Sequence, residues 1–72
     1  MTHEQEIDKA DREFRASSGK PEANFKAAKA AYDKAALAER RHQGSRAETD
    51  FRDKQMHAAL KLWIDAQKAA TV

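Results

Sequence analysis

The sequence predicts an all-α protein, and three observations lead to this prediction. Alanine, the residue with the highest helix propensity, accounts for 16 of the 72 residues. Glycine occurs only twice and proline once, so few positions interrupt a helix. The β-branched residues are scattered and do not alternate with polar residues as they would in a strand. We therefore expect helices joined by short turns in one small domain, residues 1–72.

The composition excludes several classes of protein. The chain has no cysteine, so it can form neither a disulfide framework nor a cysteine-ligated metal site. It has no run of about 18 apolar residues, the length that a membrane-spanning helix needs. Its first residues lack the apolar centre of a signal peptide. We therefore expect a cytoplasmic protein that does not associate with a membrane.

Large apolar residues are few. Leucine, isoleucine, valine and phenylalanine together number nine of the 72 residues, well below the roughly 20% that is usual in a domain with its own core. A single core in a chain of this size typically contributes only about 3–5 kcal/mol of stability. We therefore expect self-association, most simply as a homodimer, or binding to a partner to contribute to stability.

The first predicted helix covers Thr2 to Ala16, and a linker completes the N-terminal region, residues 1–19. Thr2 followed by Gln5 is typical of a capping box. The apolar residues of this helix recur with helical spacing and form one narrow stripe: Ile7, Ala10 and Phe14. Because so few large side chains cannot hold a helix in water, this helix either docks on the rest of the chain or frays.

Residues 20–72 are predicted to form a helical hairpin. Pro21 suits the first position of the second helix, which we expect to end at about Gln43. Gly44 is expected to take the left-handed conformation that ends many helices. The apolar face of this helix has a heptad-like spacing: Phe25, Ala28, Tyr32 and Ala35.

A capping box marks the start of the third helix. Ser45 can accept from the backbone of Glu48, and the Glu48 carboxylate can reach back. This helix is expected to run to about Ala70. Since the turn before it is very short, the second and third helices should lie antiparallel, with Phe25 near Trp63. Two such hairpins are expected to dimerise into a four-helix-type bundle.

Apolar residues surround more of the third helix than one neighbour can cover. A helical wheel at about 100° per residue predicts a face centred on Phe51, and including Leu62, that packs on the second helix. Leu60 and Ile64 fall on the far side, and one neighbour covers only about 100°. The predicted partner-binding residues are Met56, Leu60, Trp63 and Ile64. Three occupants are compatible with this pattern: the first helix, a second copy or another protein.

No arrangement in the sequence is typical of an enzyme. Asp53 and His57 are spaced to meet on one helix face, but zinc needs three or four ligands, and His3 and His42 lie on other segments. The serines occupy predicted turns and caps, and so short a chain cannot enclose a pocket of some 300 Å³. No glycine-rich phosphate loop is present. We expect no catalytic residue, no metal and no cofactor.

Positive charge is concentrated in the second helix and the turn after it. The net charge is +2, whereas residues 20–46 carry seven basic and three acidic side chains. Four arginines are expected near the tip of the hairpin: Arg40, Arg41, Arg46 and Arg52. Such a cluster can contact phosphates, although Glu39 and Asp50 weaken its field, and helix-end capping also explains it.

These patterns favour a non-enzymatic interaction module. We expect a small regulator or inhibitor that docks a face of its third helix onto a target protein. Small, charge-rich helical proteins without cysteine are common among phage- and plasmid-encoded accessory proteins, which is an association of composition only. The alternative function is a small dimeric nucleic-acid-binding protein that uses the four arginines.

Overall fold

The computed structural model describes residues 3–71 and is all-helical in this range. Helix α1 covers His3–Ala16, α2 covers Pro21–Arg40 and α3 covers Arg46–Ala70. The predicted all-α class and the predicted end of the third helix are therefore confirmed. The predicted cap at Thr2 lies outside the described residues.

Helix α2 is the central element. Both α1 and α3 pack against it, whereas no Cα atom of α1 lies within 8 Å of a Cα atom of α3. The Cα atoms span 46 × 20 × 13 Å, so the molecule is elongated along its helices. The first helix thus docks on the rest of the chain, which was one of the two outcomes that the sequence left open.

The core of the described chain is built almost entirely from alanine. Its buried apolar residues are Ile7, Ala10, Ala27, Ala28, Ala31, Ala35, Ala38 and Ala59. Five of them lie on α2, where small side chains let two helices approach closely on either side. No large side chain between residues 3 and 71 has less than 2% of its surface exposed.

A small hydrogen-bond network ends α1 and starts α2. Ser17 Oγ donates to the Phe14 carbonyl at 2.9 Å, and Asn24 Nδ2 donates to the same carbonyl at 2.9 Å. These bonds satisfy a carbonyl that the end of α1 would otherwise leave without a partner. Gly19 has a φ of +85°, a left-handed conformation that glycine adopts without a steric penalty. The predicted break between the first two helices is therefore present.

The turn between α2 and α3 differs from the prediction. Helix α2 ends at Arg40, before the predicted Gln43. His42, with a φ of +59°, takes the left-handed conformation that was predicted for Gly44. Glycine is needed at position 44 for space, because a Cβ atom there would lie 3.0 Å from the Cβ atom of Ala38.

Two contacts fix the register of α2 against α3. Near the turn, Thr49 Oγ1 donates to the Ala35 carbonyl at 3.4 Å. Farther from it, the rings of Phe25 and Trp63 stack with centroids 5.5 Å apart. The contact that the sequence predicted between these two aromatic residues is therefore present.

The face that α3 turns toward α2 is not the predicted one. Phe51 and Leu62 were expected to be covered, but 56% and 63% of their surfaces are exposed. The buried residues of α3 are Arg52 and Ala59, which lie about 100° and about 80° around the helix from Phe51. Neighbouring residues differ by about 100° around a helix. Relative to the predicted orientation, α3 is therefore rotated about its own axis by about one residue position. Arg52 is buried together with its ion pairs, which join it to the carboxylates of Asp11 and Glu48.

Candidate protein-binding surface

Trp63 anchors the surface that the sequence singled out. Its ring lies against Phe25 of α2, with an angle of 26° between the ring planes. The residue is half-buried, so the indole is held in place while part of it stays accessible. A large aromatic side chain fixed in this way loses little conformational freedom when a partner covers the rest.

Three of the four predicted partner-binding residues lie together. Leu60, Trp63 and Ile64 line one shallow groove of about 250 Å³, and Gln67 and Lys68 complete its wall. Ile64 has 45% of its surface exposed, while Leu60 is half-buried. Met56, the fourth predicted residue, is also half-buried and lies one to two turns nearer the start of α3. We call these four residues the Trp63 face.

A second groove borders Trp63 on the side of the α2 N-terminus. It has a volume of about 370 Å³, and its lining includes Pro21, Glu22, Trp63, Ala66 and Ala70. Trp63 therefore separates two adjoining depressions, one along α3 and one between α3 and the start of α2. A partner that covers the indole can contact both.

A second exposed apolar edge of α3 was not predicted from the sequence. Phe51 and Leu62, the two most exposed of the large apolar side chains described, lie on this edge. The Arg52 guanidinium lies 5.3 Å from the centroid of the Phe51 ring. Leu62 borders a groove with Phe14 and Asn24. The sequence contained one signal for this edge, which is that Arg52 lies within the wide apolar arc of α3. An arginine in such a position can be buried in an ion pair, and a different side of the helix is then exposed.

Arg52 is the most buried charged residue described, with 5% of its surface exposed. Its Nη1 and Nη2 atoms donate to the two carboxylate oxygens of Asp11 on α1, the second at 3.0 Å. Its Nε donates to Glu48 at 3.0 Å and its Nη1 to Gln55 at 3.3 Å. A guanidinium with its donors bound in this way is not available for phosphate, so Arg52 leaves the predicted nucleic-acid-binding set.

The same ion pair shifts the protonation of both partners. The hydrogen bond from Arg52 holds the pKa of Asp11 below its ordinary value of 3.8, against the opposing effect of partial burial. The hydrogen bond to Asp11, and more weakly that to Glu48, raises the pKa of Arg52. Both shifts favour the charged forms. The ion pair therefore links α1 to α3 at every pH at which Asp11 is ionised.

The remaining predicted arginines lie near the turn between α2 and α3. Arg46 is exposed and contacts two carboxylates, that of Asp50 at 3.3 Å and that of Glu39 at 3.8 Å. Arg40 and Arg41 are exposed at the end of α2. Acidic neighbours therefore lower the positive potential of the cluster around Arg46.

The histidine pair that the sequence suggested forms only a local contact. His57 Nδ1 lies 2.8 Å from the Asp53 carbonyl oxygen and 3.2 Å from a carboxylate oxygen of the same residue. Across the part of the chain that the structure describes, no three acidic or histidine side chains are grouped so as to hold a metal ion.

Compared with known proteins, the chain matches no family model, no curated protein and no solved structure. None of the helices described has both the length and the apolar character needed to cross a membrane.

Proposed function

We propose that this protein is a non-enzymatic interaction module that docks its Trp63 face onto a target protein as a regulator or inhibitor. The observation that carries the proposal is the apolar cluster on the Trp63 face. Alanine fills the core, whereas Ile64 has 45% of its surface exposed beside the half-buried Leu60 and Trp63. A folded chain that exposes its large side chains and buries its small ones gains stability when another surface covers the large ones.

The energetics of the Trp63 face support this proposal. Burying a fully exposed large aliphatic side chain contributes about 1.5–3 kcal/mol, and Ile64, with 45% of its surface exposed, can gain about half of this. Ile64 retains much of its surface for such a contact, and Trp63 is already held by Phe25. Tryptophan is among the residues that most often contribute a large share of the binding energy in protein interfaces. Gln67 and Lys68 border the groove and can serve as its polar rim.

The architecture proposed with this function is an antiparallel helical hairpin, formed by α2 and α3, that dimerises. We place its action in the cytoplasm. An accessory protein of a phage or plasmid is the biological setting that its composition favours. The helix pairing is supported by the contact between Phe25 and Trp63 and by that between Thr49 and Ala35.

Capture of a target from the native cell tests the proposed function. The tagged protein is compared with Ile64→Asp, which places a charge on the Trp63 face, and with Ala47→Asp, which places the same charge at an exposed position elsewhere on α3. We expect mass spectrometry to find a protein retained by the unmodified chain and by Ala47→Asp, and lost with Ile64→Asp. Equal retention by both variants, with unchanged helicity in circular dichroism, contradicts the proposal.

The second candidate function is nucleic-acid binding by Arg40, Arg41 and Arg46. What favours it is the exposure of all three arginines near one end of the molecule. Fluorescence anisotropy with generic RNA and DNA at low and moderate salt separates the two functions. Binding that weakens steeply with salt, and that is lost on replacing Arg40 and Arg41 by glutamine, supports this candidate. A flat titration at low salt removes it.

A further inference from the structure

The exposed edge of α3 that includes Phe51 and Leu62 has a regular spacing. Counting from Phe51 in steps of four and three residues gives the stripe that we call the Phe51 edge: Phe51, Gln55, Ala58, Leu62, Asp65 and Ala69. Steps of four and three keep residues on one side of a helix, as in the seam of a coiled coil. All members are exposed except Gln55, which is half-buried.

We propose that the Phe51 edge binds a second copy of this chain, with the two α3 helices antiparallel. The order of residues along the edge is self-complementary. When the stripe is laid against itself in the opposite direction, residues whose numbers add up to about 120 meet. Each contact then occurs twice, as a twofold axis requires.

The apolar contacts of this pairing match large side chains with small ones. Phe51 meets Ala69 of the second copy, and Leu62 meets Ala58 of the second copy. A pairing of this kind lets two helices approach closely without overlap of their side chains. Phe51 and Leu62, with 56% and 63% of their surfaces exposed, are the side chains that gain most from being covered.

The polar contact of the pairing is complementary as well. Gln55 meets Asp65 of the second copy. The Gln55 carbonyl oxygen already accepts from Arg52 at 3.3 Å, so its amide group presents NH₂ donors to the edge. The Asp65 carboxylate can accept hydrogen bonds from these donors. In the antiparallel arrangement this contact occurs twice, once on each side of the centre of the interface. A parallel arrangement would instead place Asp65 against Asp65 and Phe51 against Phe51.

The proposed dimer leaves the Trp63 face accessible. Phe51 and Ile64 differ by about 140° around α3, so a helix that covers one does not cover the other. The second copy and the target therefore occupy different sides of α3, and a dimer presents two Trp63 faces. This inference goes beyond the proposed function and does not depend on it, because the self-association is measured with the purified chain alone.

Sedimentation velocity over a range of concentrations measures the self-association. The double variant Phe51→Glu/Leu62→Glu should weaken it by at least about 30-fold, since both kinds of apolar contact are lost, each of them twice, and carboxylates are placed against alanine. The matched control is Ile64→Glu, which alters an equally apolar residue of α3 outside the edge and should leave the dimer unchanged. A monomeric unmodified protein, or a dimer that survives the double variant, overturns the proposal.

Cysteine cross-linking determines the orientation, and the chain has no cysteine of its own. Gln55→Cys and Asp65→Cys are prepared separately, then mixed and oxidised. The antiparallel pairing predicts a disulfide between the two variants in the mixture and little in either alone, where the two sulfurs would be about 15 Å apart along the axis. Cross-linking of each variant with itself contradicts the antiparallel pairing. If Ile64→Glu dissociates the dimer and the double variant does not, the second copy lies on the Trp63 face instead.

Discussion

Arg52 is the most buried charged residue described, and its ion pair joins two helices. It connects α3 to Asp11 on α1, although no Cα atoms of these helices lie within 8 Å of each other. A guanidinium can bridge this gap because it is long, planar and able to donate to both oxygens of one carboxylate. The orientation of α3, and with it the exposure of Phe51 and Leu62, follows from the position of this charge.

Asp11→Asn should lower the free energy of unfolding at pH 7 by about 1–3 kcal/mol, because a buried guanidinium then loses its charged acceptor. The folded-state pKa of Asp11 is lowered, so its stabilising effect is complete above the ordinary value of 3.8 and is lost as the pH falls through the lower folded-state value. The variant should therefore show a smaller loss of stability in this acidic range, as measured by urea unfolding at several pH values.

Asp8→Asn is the control for this prediction, because Asp8 is an exposed acid on the same helix. It should change stability by no more than about 0.5 kcal/mol. If the two variants have the same stability at pH 7 and the same dependence on pH, the ion pair between Asp11 and Arg52 does not stabilise the fold.

At the scale of the element, α2 contacts a neighbour on each side and does so with alanine. The buried residues Ala31 and Ala35 each have about 1% of their surface exposed. Small side chains at these positions set the distance between α2 and its neighbours, since packed interiors leave little free volume. The alanines of α2 therefore act in two ways. They favour the helical conformation, and their small size allows both neighbouring helices to pack closely.

Ala31→Leu should destabilise the protein by about 1–3 kcal/mol, although leucine is a good helix former, because the larger side chain forces α2 away from a neighbour. Ala23→Leu is the matched control, since Ala23 is exposed on the same helix. Thermal unfolding followed by circular dichroism compares the two. An unfolding temperature that is unchanged or raised by Ala31→Leu contradicts the close packing described for α2.

At the scale of the whole molecule, the chain lacks a core of large side chains, so its stability should depend on its concentration. If the Phe51 edge binds a second copy, raising the concentration 100-fold should raise the unfolding temperature by about 5 °C or more. The double variant Phe51→Glu/Leu62→Glu should unfold at a temperature that does not vary with concentration. A constant unfolding temperature for the unmodified chain, measured by calorimetry, contradicts a linkage between folding and association.

Three features could be predicted from the amino-acid sequence: the helical class, the ends of the helices to within a few residues, and the contact between Phe25 and Trp63. These features depend on helix propensity, on local capping at Ser45 and on the short turn, all of which act between residues close in the chain. It also located Trp63 and Ile64 as candidate binding residues from helical spacing alone.

The side of α3 that faces inward, and the residues that stay exposed, depend on contacts between helices and could not be predicted from the sequence. A helical wheel weighs apolar residues and treats arginine as a surface residue, whereas burial of Arg52 requires an acceptor that lies 41 positions away in the chain. His42, and not Gly44, takes the left-handed conformation, while residue 44 lies close to Ala38 of the preceding helix. Contacts between distant segments set the rotation of a helix about its axis, and local sequence patterns do not contain them.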